Sequence, residues 1–304
     1  MTKSTQGVYL SLIEQLDKLA RHNRQGSFRT KARYYEAMKR FCRFLAEEYH
    51  LQKLANISGK HLTAYVLHMQ ETDKSASTIK TDLAAIRFFH DKIGNAKYRL
   101  PSNDELAIEL ERRSFGDTDR TWSASEFARM LEKALAQNRY DYILALYLAR
   151  YAGLRIHECF RIDTATAAQA LRDNAITIKG KGGKIRTVPI NDQIATALKT
   201  QLDCTKRGHK LLVPDDMHTD RAINQLQLFI MTHREAIRDE GSISPLTFHG
   251  LRHTYAAEQY TNFTHNRKSS LDAHFAVSKL LGHERPDVTN IYLASIRKEI
   301  SNGK

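Results

Sequence analysis

Apolar residues recur at helical spacing through the first hundred residues, and this spacing limits the fold more than any other feature of the chain. Between residues 31 and 49, one apolar stripe is formed by Tyr34, Met38, Phe41 and Leu45. The same spacing returns in two shorter segments, which begin after Ser58 and near Ser77. Because residues three and four apart share one helix face, the N-terminal third is predicted to be a bundle of four or five short helices.

Two capping boxes, each a serine followed three residues later by a glutamate, predict helix starts. They join Ser102 to Glu105 and Ser123 to Glu126. Between them lies the polar stretch RRSFGDTDRTW, which contains a glycine and is the best linker candidate in the chain. We therefore expect a helical domain at residues 1–113, a linker at 114–121 and a second domain at 122–304.

The second domain is expected to combine helices with one β-hairpin. Helices are predicted from about residue 141 to 152 and again from about residue 155. The segment AITIKGKGGKIRTVPI alternates apolar and polar residues around a turn rich in glycine and lysine, as hairpins do. The fold class is therefore predicted to be mainly α with a small β-sheet.

The composition favours a polyanionic partner. A formal net charge of +13 in 304 residues indicates nucleic acid as the first candidate partner and an anionic membrane surface as the second. The alternative is a basic protein whose charge serves only to keep it in solution. Three distant cysteines without a C-x-x-C pair are expected to be reduced thiols. We find no signal-peptide core and no apolar stretch long enough for a bilayer, so a cytoplasmic location without a membrane partner is expected.

The stretch SPLTFHGLRHTYAA gathers cationic potential on one helix face. His249, Arg252 and His253 lie at i, i+3 and i+4, in a helix predicted to start with Ser244 as N-cap and Pro245 as first residue. The two histidines have the spacing of zinc ligands, but the glutamate of H-E-x-x-H is absent and Arg252 would repel the metal. A phosphate at the helix N-terminus fits the charges better, and an ordinary polar face is the other alternative.

Three further stretches carry similar charge: ARYAGLRIHECFRID, the hairpin turn KGKGGK, and SKLLGHERPDVTNIYL. The turn lacks the spacing of a nucleotide P-loop. Taken alone, each stretch also fits a helix end or a solvated turn. Their candidate residues are, in chain order, Arg155, Glu158, Lys179, Lys181, Lys184, His283 and, nine residues later, Tyr292.

In this order, the four stretches resemble the catalytic domain of tyrosine recombinases, the phage-integrase family. The resemblance spans about residues 120 to 304, and the helical first third is similar in size and style to the family's core-binding domain. It implies a SAM-like helical core-DNA-binding domain followed by an α+β tyrosine-recombinase catalytic domain.

The resemblance implies that basic residues bind the scissile phosphate. Arg155 and Arg252 would grip its nonbridging oxygens, because a guanidinium is permanently charged and binds with two prongs. Lys181 would protonate the departing 5′ oxygen, with Lys179 and Lys184 as alternatives in the same hairpin.

The remaining roles concern the attacking group and its neighbours. By resemblance, Tyr292 would be the nucleophile and His249 would assist its proton transfer. His283 would hydrogen-bond the phosphate, and Glu158 would orient the residues around it. A phenol needs this help because its pKa of about 10 makes it a poor nucleophile at neutral pH.

The implied function is site-specific recombination or integration of DNA through a 3′-phosphotyrosine intermediate, without metal, ATP or another cofactor. The implied partners are double-stranded DNA core sites, on which four protomers assemble and exchange strands through a Holliday junction. The free protein would be a monomer or weak oligomer, and accessory DNA-bending proteins are an optional partner. The carrier would be a mobile genetic element or a chromosome-resolution system, and the protein would join the bacterial nucleoid when bound.

Two departures and three alternatives accompany this interpretation. A polar run from Thr261 to Ser270 is predicted to be a loop, and the tail after Tyr292 is a candidate for docking on an adjacent protomer. The alternatives are a type IB topoisomerase-like strand transferase, a catalytically inactive DNA-binding protein and a metal-dependent nuclease.

Overall fold

The chain forms two compact units, residues 1–114 and 115–304. The computed structural model describes residues 2–21, 28–106, 108–110, 118–180, 183–266, 269–282, 286–293 and 296. Within these residues lie twelve α-helices, two 3-10 helices and one two-stranded sheet. The predicted class, mainly α with a small sheet, is confirmed.

The first unit is a helical bundle. Its helices are α1 (Lys3–Arg21), α2 (Phe28–Tyr49), a 3-10 helix (Leu54–Asn56), α3 (Gly59–Glu71) and α4 (Ala76–His90). The predicted stripe on α2 builds the core, since Met38, Phe41 and Leu45 are fully buried and Tyr34 is partly buried against them. α2 packs against both α1 and α4.

The predicted helix after Pro101 is wrong within the described residues 101–106 and 108–110, which form bends and irregular chain. The Ser102 and Glu105 side chains do bind each other's backbone N–H groups, at 3.3 and 2.7 Å. However, Arg87 of α4 donates to the Pro101 carbonyl (2.7 Å) and to Asn103 Oδ1 (2.8 Å). Tertiary bonds therefore hold this segment on α4.

The second unit contains the other helices and the hairpin. In order, they are α5 (Ala124–Ala136), α6 (Tyr140–Ala152), α7 (Ile156–Cys159), α8 (Thr164–Asp173), β1 (Ala175–Lys179), β2 (Ile185–Pro189), α9 (Asp192–Cys204), α10 (Thr219–Ile237), α11 (Phe248–His265), α12 (Ser270–Leu281) and a 3-10 helix (Pro286–Leu293). The largely buried α6 packs against α9 and α11.

The predicted hairpin is present. It is antiparallel, with Ala175 opposite Pro189 and Lys179 opposite Ile185. The Ser123–Glu126 capping box begins α5, also as predicted.

Two predicted boundaries around α11 are wrong. The helix begins at Phe248 rather than Pro245, because Thr247 is the N-cap and accepts from the Gly250 N–H, whereas Ser244 donates to the Thr121 carbonyl (3.1 Å). The polar run 261–270 is not mainly a loop, because α11 continues to His265 and α12 begins at Ser270. No helix in the described part of the chain is long and apolar enough to cross a membrane.

Candidate active site

A glycine turn at the end of α6 brings Arg155 into the site. Gly153 has a φ of +62°, and a Cβ there would lie 2.7 Å from Cε1 of the buried Tyr255 ring. This position therefore needs glycine for both its conformation and its close packing. The turn places Arg155 at the N-cap of α7, where Glu158 accepts from its backbone N–H (2.8 Å) and its Nη1 (3.1 Å).

Glu158 is a buried carboxylate shared by two arginines. Arg186 of β2 donates from Nη1 and Nη2 to its two oxygens, at 3.0 and 2.7 Å. Burial alone would raise the pKa of Glu158, but the hydrogen bonds and charge of Arg186, with the Arg155 N–H and the charge of Arg252, lower it to about 2. The carboxylate is therefore ionised at neutral pH.

Arg252 is fully buried at the first turns of α11. Its Nη1 donates to the Gly153 carbonyl and its Nη2 donates to the Leu281 carbonyl at 2.6 Å. Burial, followed by the charges of Arg155 and Arg186, lowers its pKa to about 10. The guanidinium thus stays protonated at neutral pH and is fixed between the ends of α6 and α12.

Tyr292 lies against the same helix face as Arg252. Its side chain is buried, with the hydroxyl 3.3 Å from His249 Nε2. Its ring is tilted by 31° against the ring of His253, with centroids 4.4 Å apart, and the Arg252 Cζ atom lies 5.5 Å from its centroid. The tyrosine that follows His283 by nine residues is therefore within hydrogen-bond reach of a histidine.

Both histidines are held neutral. His249 is exposed at the surface, but partial desolvation by the surrounding atoms and the charges of Arg252, Arg155 and Arg120 lower its pKa to about 4. The buried His253 has its pKa lowered to about 3 by burial, His249, Arg120 and Arg252. A neutral imidazole can accept a proton, so His249 can serve as a base toward the Tyr292 hydroxyl.

The structure brings five of the predicted site residues into one group: Arg155, Glu158, His249, Arg252 and Tyr292. Lys181 and His283 lie outside the described residues. The alternative lysines Lys179 and Lys184 are exposed on the two arms of the hairpin turn. Within the described residues, no three His, Cys, Asp or Glu side chains are grouped to hold a metal ion.

Sequence reasoning missed two cations of this group, Arg186 and Arg120. Strand alternation gave a signal for Arg186, because it lies on the same face of β2 as the buried Val188. Arg120 gave no such signal. It is placed by the chain segment ending at Trp122, whose N–H donates to Thr254 Oγ1 of α11 at 2.8 Å.

Comparison with known proteins identifies the family of the chain. The family model described as "Phage integrase family" matches residues 121–299, which is more than half of the chain, and that described as "Phage integrase, N-terminal" matches residues 10–98. The chain therefore belongs to the phage integrase family.

Individual relatives indicate which type of enzyme within the family this chain is. The chain is 25% identical over 295 residues to tyrosine recombinase XerC of Roseiflexus castenholzii, covering 92% of this chain and 88% of the relative. A lambda integrase tetramer bound to a Holliday junction has 18% identity and a TM-score of 0.62, over 93% of this chain and 76% of that chain. The Tn1549 transposon integrase with circular intermediate DNA has 17% identity and a TM-score of 0.58, over 96% and 98%. The structures agree in fold, and the family and named relatives make this enzyme a tyrosine site-specific recombinase.

Proposed function

We propose that this chain cleaves and rejoins DNA at specific sites, with Tyr292 as the nucleophile. The observation that carries the proposal is the 3.3 Å contact between the Tyr292 hydroxyl and His249 Nε2. With a pKa of about 4, that histidine is neutral at physiological pH and free of the proton it has to accept. Arg155 and Arg252 are close enough for their charges to lower this pKa.

The proposed reaction begins with attack of the Tyr292 oxygen on the scissile phosphorus. The phenolic proton passes to His249 Nε2, the bond from phosphorus to the 5′ oxygen breaks, and a 3′-phosphotyrosine forms. Lys181, which lies outside the described residues, is proposed to protonate the departing 5′ oxygen, with Lys179 and Lys184 as alternatives. Attack by a 5′ hydroxyl on the phosphotyrosine reverses these steps, so the phosphoester bond is conserved and no ATP is consumed.

The cations have different tasks in this scheme. The Arg155 side chain is 25% exposed, so its guanidinium can offer a two-pronged donor to a phosphate. Arg252 is buried and bound to two carbonyls, so it supplies a fixed positive charge. Such prepositioned charge stabilises the negative charge of the five-coordinate phosphorus, by about 10²–10³-fold for one well-placed donor. We further propose that His283 hydrogen-bonds the phosphate and that Glu158 orients Arg155.

DNA is the partner, and the assembly on it is part of the proposal. We propose that residues 1–113 and 122–304 form the core-binding and catalytic domains, joined by a linker at 114–121. Four protomers would exchange strands on double-stranded core sites, as supported by the tetrameric lambda integrase neighbour. The transposon integrase neighbour supports a mobile element as the carrier. Accessory DNA-bending proteins, docking of the tail after Tyr292 on a neighbour, and a bacterial cytoplasmic location belong to the same proposal.

Covalent capture of DNA tests the function. Wild-type protein and the Tyr292→Phe variant are incubated with a pool of nicked duplexes of random sequence, whose cleavage releases a short strand and traps the adduct. Wild type is expected to give an SDS-resistant adduct carried on Tyr292, as mapped by peptide mass spectrometry. Tyr292→Phe is expected to bind the captured duplex as tightly and to give none, since only the attacking oxygen is removed.

A second tyrosine serves as the matched control. Tyr260→Phe, on α11, removes a hydroxyl that contacts Ser270 Oγ (2.6 Å) rather than His249, and is expected to keep full adduct formation. An adduct formed by Tyr292→Phe would show that another residue is the nucleophile.

A further inference from the structure

Arg186 is a buried cation outside every motif of the site. Its side chain is 10% exposed and projects inward from β2, on the same face as Val188. Both of its Nη atoms are used on Glu158, with one bond to each carboxylate oxygen. This fork fixes the plane of the carboxylate, because two parallel bonds leave it no free rotation.

The carboxylate that Arg186 fixes is the one that holds Arg155. Glu158 accepts four hydrogen bonds, two from Arg186 and two from Arg155. Without Arg186, Glu158 would keep only the two of these four hydrogen bonds that come from Arg155. A buried carboxylate with unmet acceptor capacity would then turn toward the Arg155 guanidinium and draw it into a two-pronged pair of its own.

Charge balance leads to the same result. A lone Glu158 carboxylate would neutralise the positive charge that Arg155 has to offer to a phosphate. Arg186 supplies a second positive charge to the same carboxylate, so the three residues together keep a net charge of +1. Because the group is largely buried, this charge is screened little by water or salt.

Arg186 also connects chain segments that carry other site residues. It lies on the second strand of the hairpin, and Lys181 falls between the two strands in the sequence. Its aliphatic part packs beneath Gly282, where a Cβ would lie 3.2 Å from Arg186 Cδ, and Gly282 directly precedes His283. One side chain thus joins the hairpin, the Arg155 turn and the end of α12.

We infer that Arg186 is a positioning residue, which fixes Glu158 so that the Arg155 guanidinium faces the scissile phosphate while the hairpin is held beside it. This inference rests on the proposed function. Arg186 itself need not touch DNA, since both Nη atoms are committed to the carboxylate. Its loss is expected to slow the chemical step much more than it weakens DNA binding, to which this group contributes one charge among many.

The test compares Arg186→Gln with a matched variant elsewhere in the same unit. Arg150 is equally buried, with 9% of its side chain exposed, and also forms a two-pronged pair, with Glu258. Arg150→Gln therefore removes an equally buried arginine from a two-pronged pair without touching Glu158, although its partner Glu258 is half exposed. The probe is the nicked duplex that wild-type protein captures covalently, with DNA affinity, thermal midpoint and single-turnover adduct rate at saturating protein measured for each variant.

Arg186→Gln is expected to lower the adduct rate by about 10²-fold, because a displacement near 1 Å at a reacting group costs about that much. Arg150→Gln is expected to keep the wild-type rate and to lose less thermal midpoint, because water can solvate the half-exposed Glu258. Arg186→Lys retains charge without the fork and is expected to give an intermediate rate. If the Arg186→Gln protein fails to fold, Arg186→Lys takes its place in the comparison.

A double-mutant cycle with Arg155→Lys tests whether Arg186 acts through Arg155. If it does, Arg186→Gln will cost much less in the Arg155→Lys background than in wild type. Multiplicative effects, an equal slowing by Arg150→Gln, or a wild-type rate in Arg186→Gln would each overturn the inference. Absence of any adduct with wild-type protein would instead refute the proposed function, so the two failures are distinguishable.

Discussion

Replacing Gly153 by alanine is expected to be costly for two separable reasons. The φ of +62° lies in the left-handed region, where an L-residue costs about 1–2 kcal/mol. The new Cβ would also lie 2.7 Å from Tyr255 Cε1, and overpacking of this kind costs about 1–3 kcal/mol. We therefore expect Gly153→Ala to lower the free energy of unfolding by about 2–5 kcal/mol.

Gly208→Ala separates the two contributions. Gly208 has a φ of +82° and would place its Cβ in open space, with nothing within 4 Å. Both substitutions share the conformational cost and the stiffening of the unfolded chain, so the difference between them measures overpacking alone, about 1–3 kcal/mol. Urea unfolding of both variants, followed by circular dichroism, gives this difference.

The packing cost at Gly153 should disappear when the Tyr255 ring is removed. In a Tyr255→Ala background the ring is absent, so Gly153→Ala should cost no more than Gly208→Ala. Gly153→Ala should also slow adduct formation, because the Gly153 carbonyl that binds Arg252 would move. The reasoning is refuted if Gly153→Ala and Gly208→Ala destabilise the protein equally in the wild-type background.

Three shorter predictions concern the same unit. Arg155→Lys keeps the charge and loses the fork, so single-turnover adduct formation should fall by about 10²-fold with DNA affinity unchanged, and a wild-type rate would exclude a phosphate role. Thr247→Ala removes the N-cap of α11 and should cost about 1 kcal/mol in urea unfolding; no loss would mean that the cap is dispensable. The pKa of His253 is about 3 in the folded protein and near 6.5 in the unfolded chain, so the unfolded state binds the proton first as the pH falls. The stability that is present above pH 6.5 is therefore lost at lower pH. His253→Asn should therefore remove about 2 kcal/mol of the stability difference between pH 7 and pH 5, and an unchanged pH profile would contradict the assigned pKa.

Local sequence patterns predicted those elements in which local and tertiary preferences agree. The serine-to-glutamate box at Ser123 precedes residues such as Phe127 and Met130 that α5 buries on one face. The same box at Ser102 forms its hydrogen bonds without a helix in the described residues, because Arg87 takes up the neighbouring polar groups. The sequence does not reveal which distant side chain will bind a local carbonyl.

The site was predictable as far as its motifs have fixed order and spacing. Spacing identified Tyr292 and His249, and the structure brings their polar atoms together. It gave no account of how Arg155 is held, since that depends on a pair formed between Glu158 and Arg186, 28 residues apart. The position of Arg186 on the inward face of a strand could have indicated a buried carboxylate nearby, because a buried charge needs a partner.

The contact between Tyr292 and His249 lies within a single chain. Under the proposed function, each copy would therefore carry its own attacking oxygen beside its own proton acceptor. In an assembly of several copies, the number of strands that can be cut would equal the number of copies with an intact Tyr292.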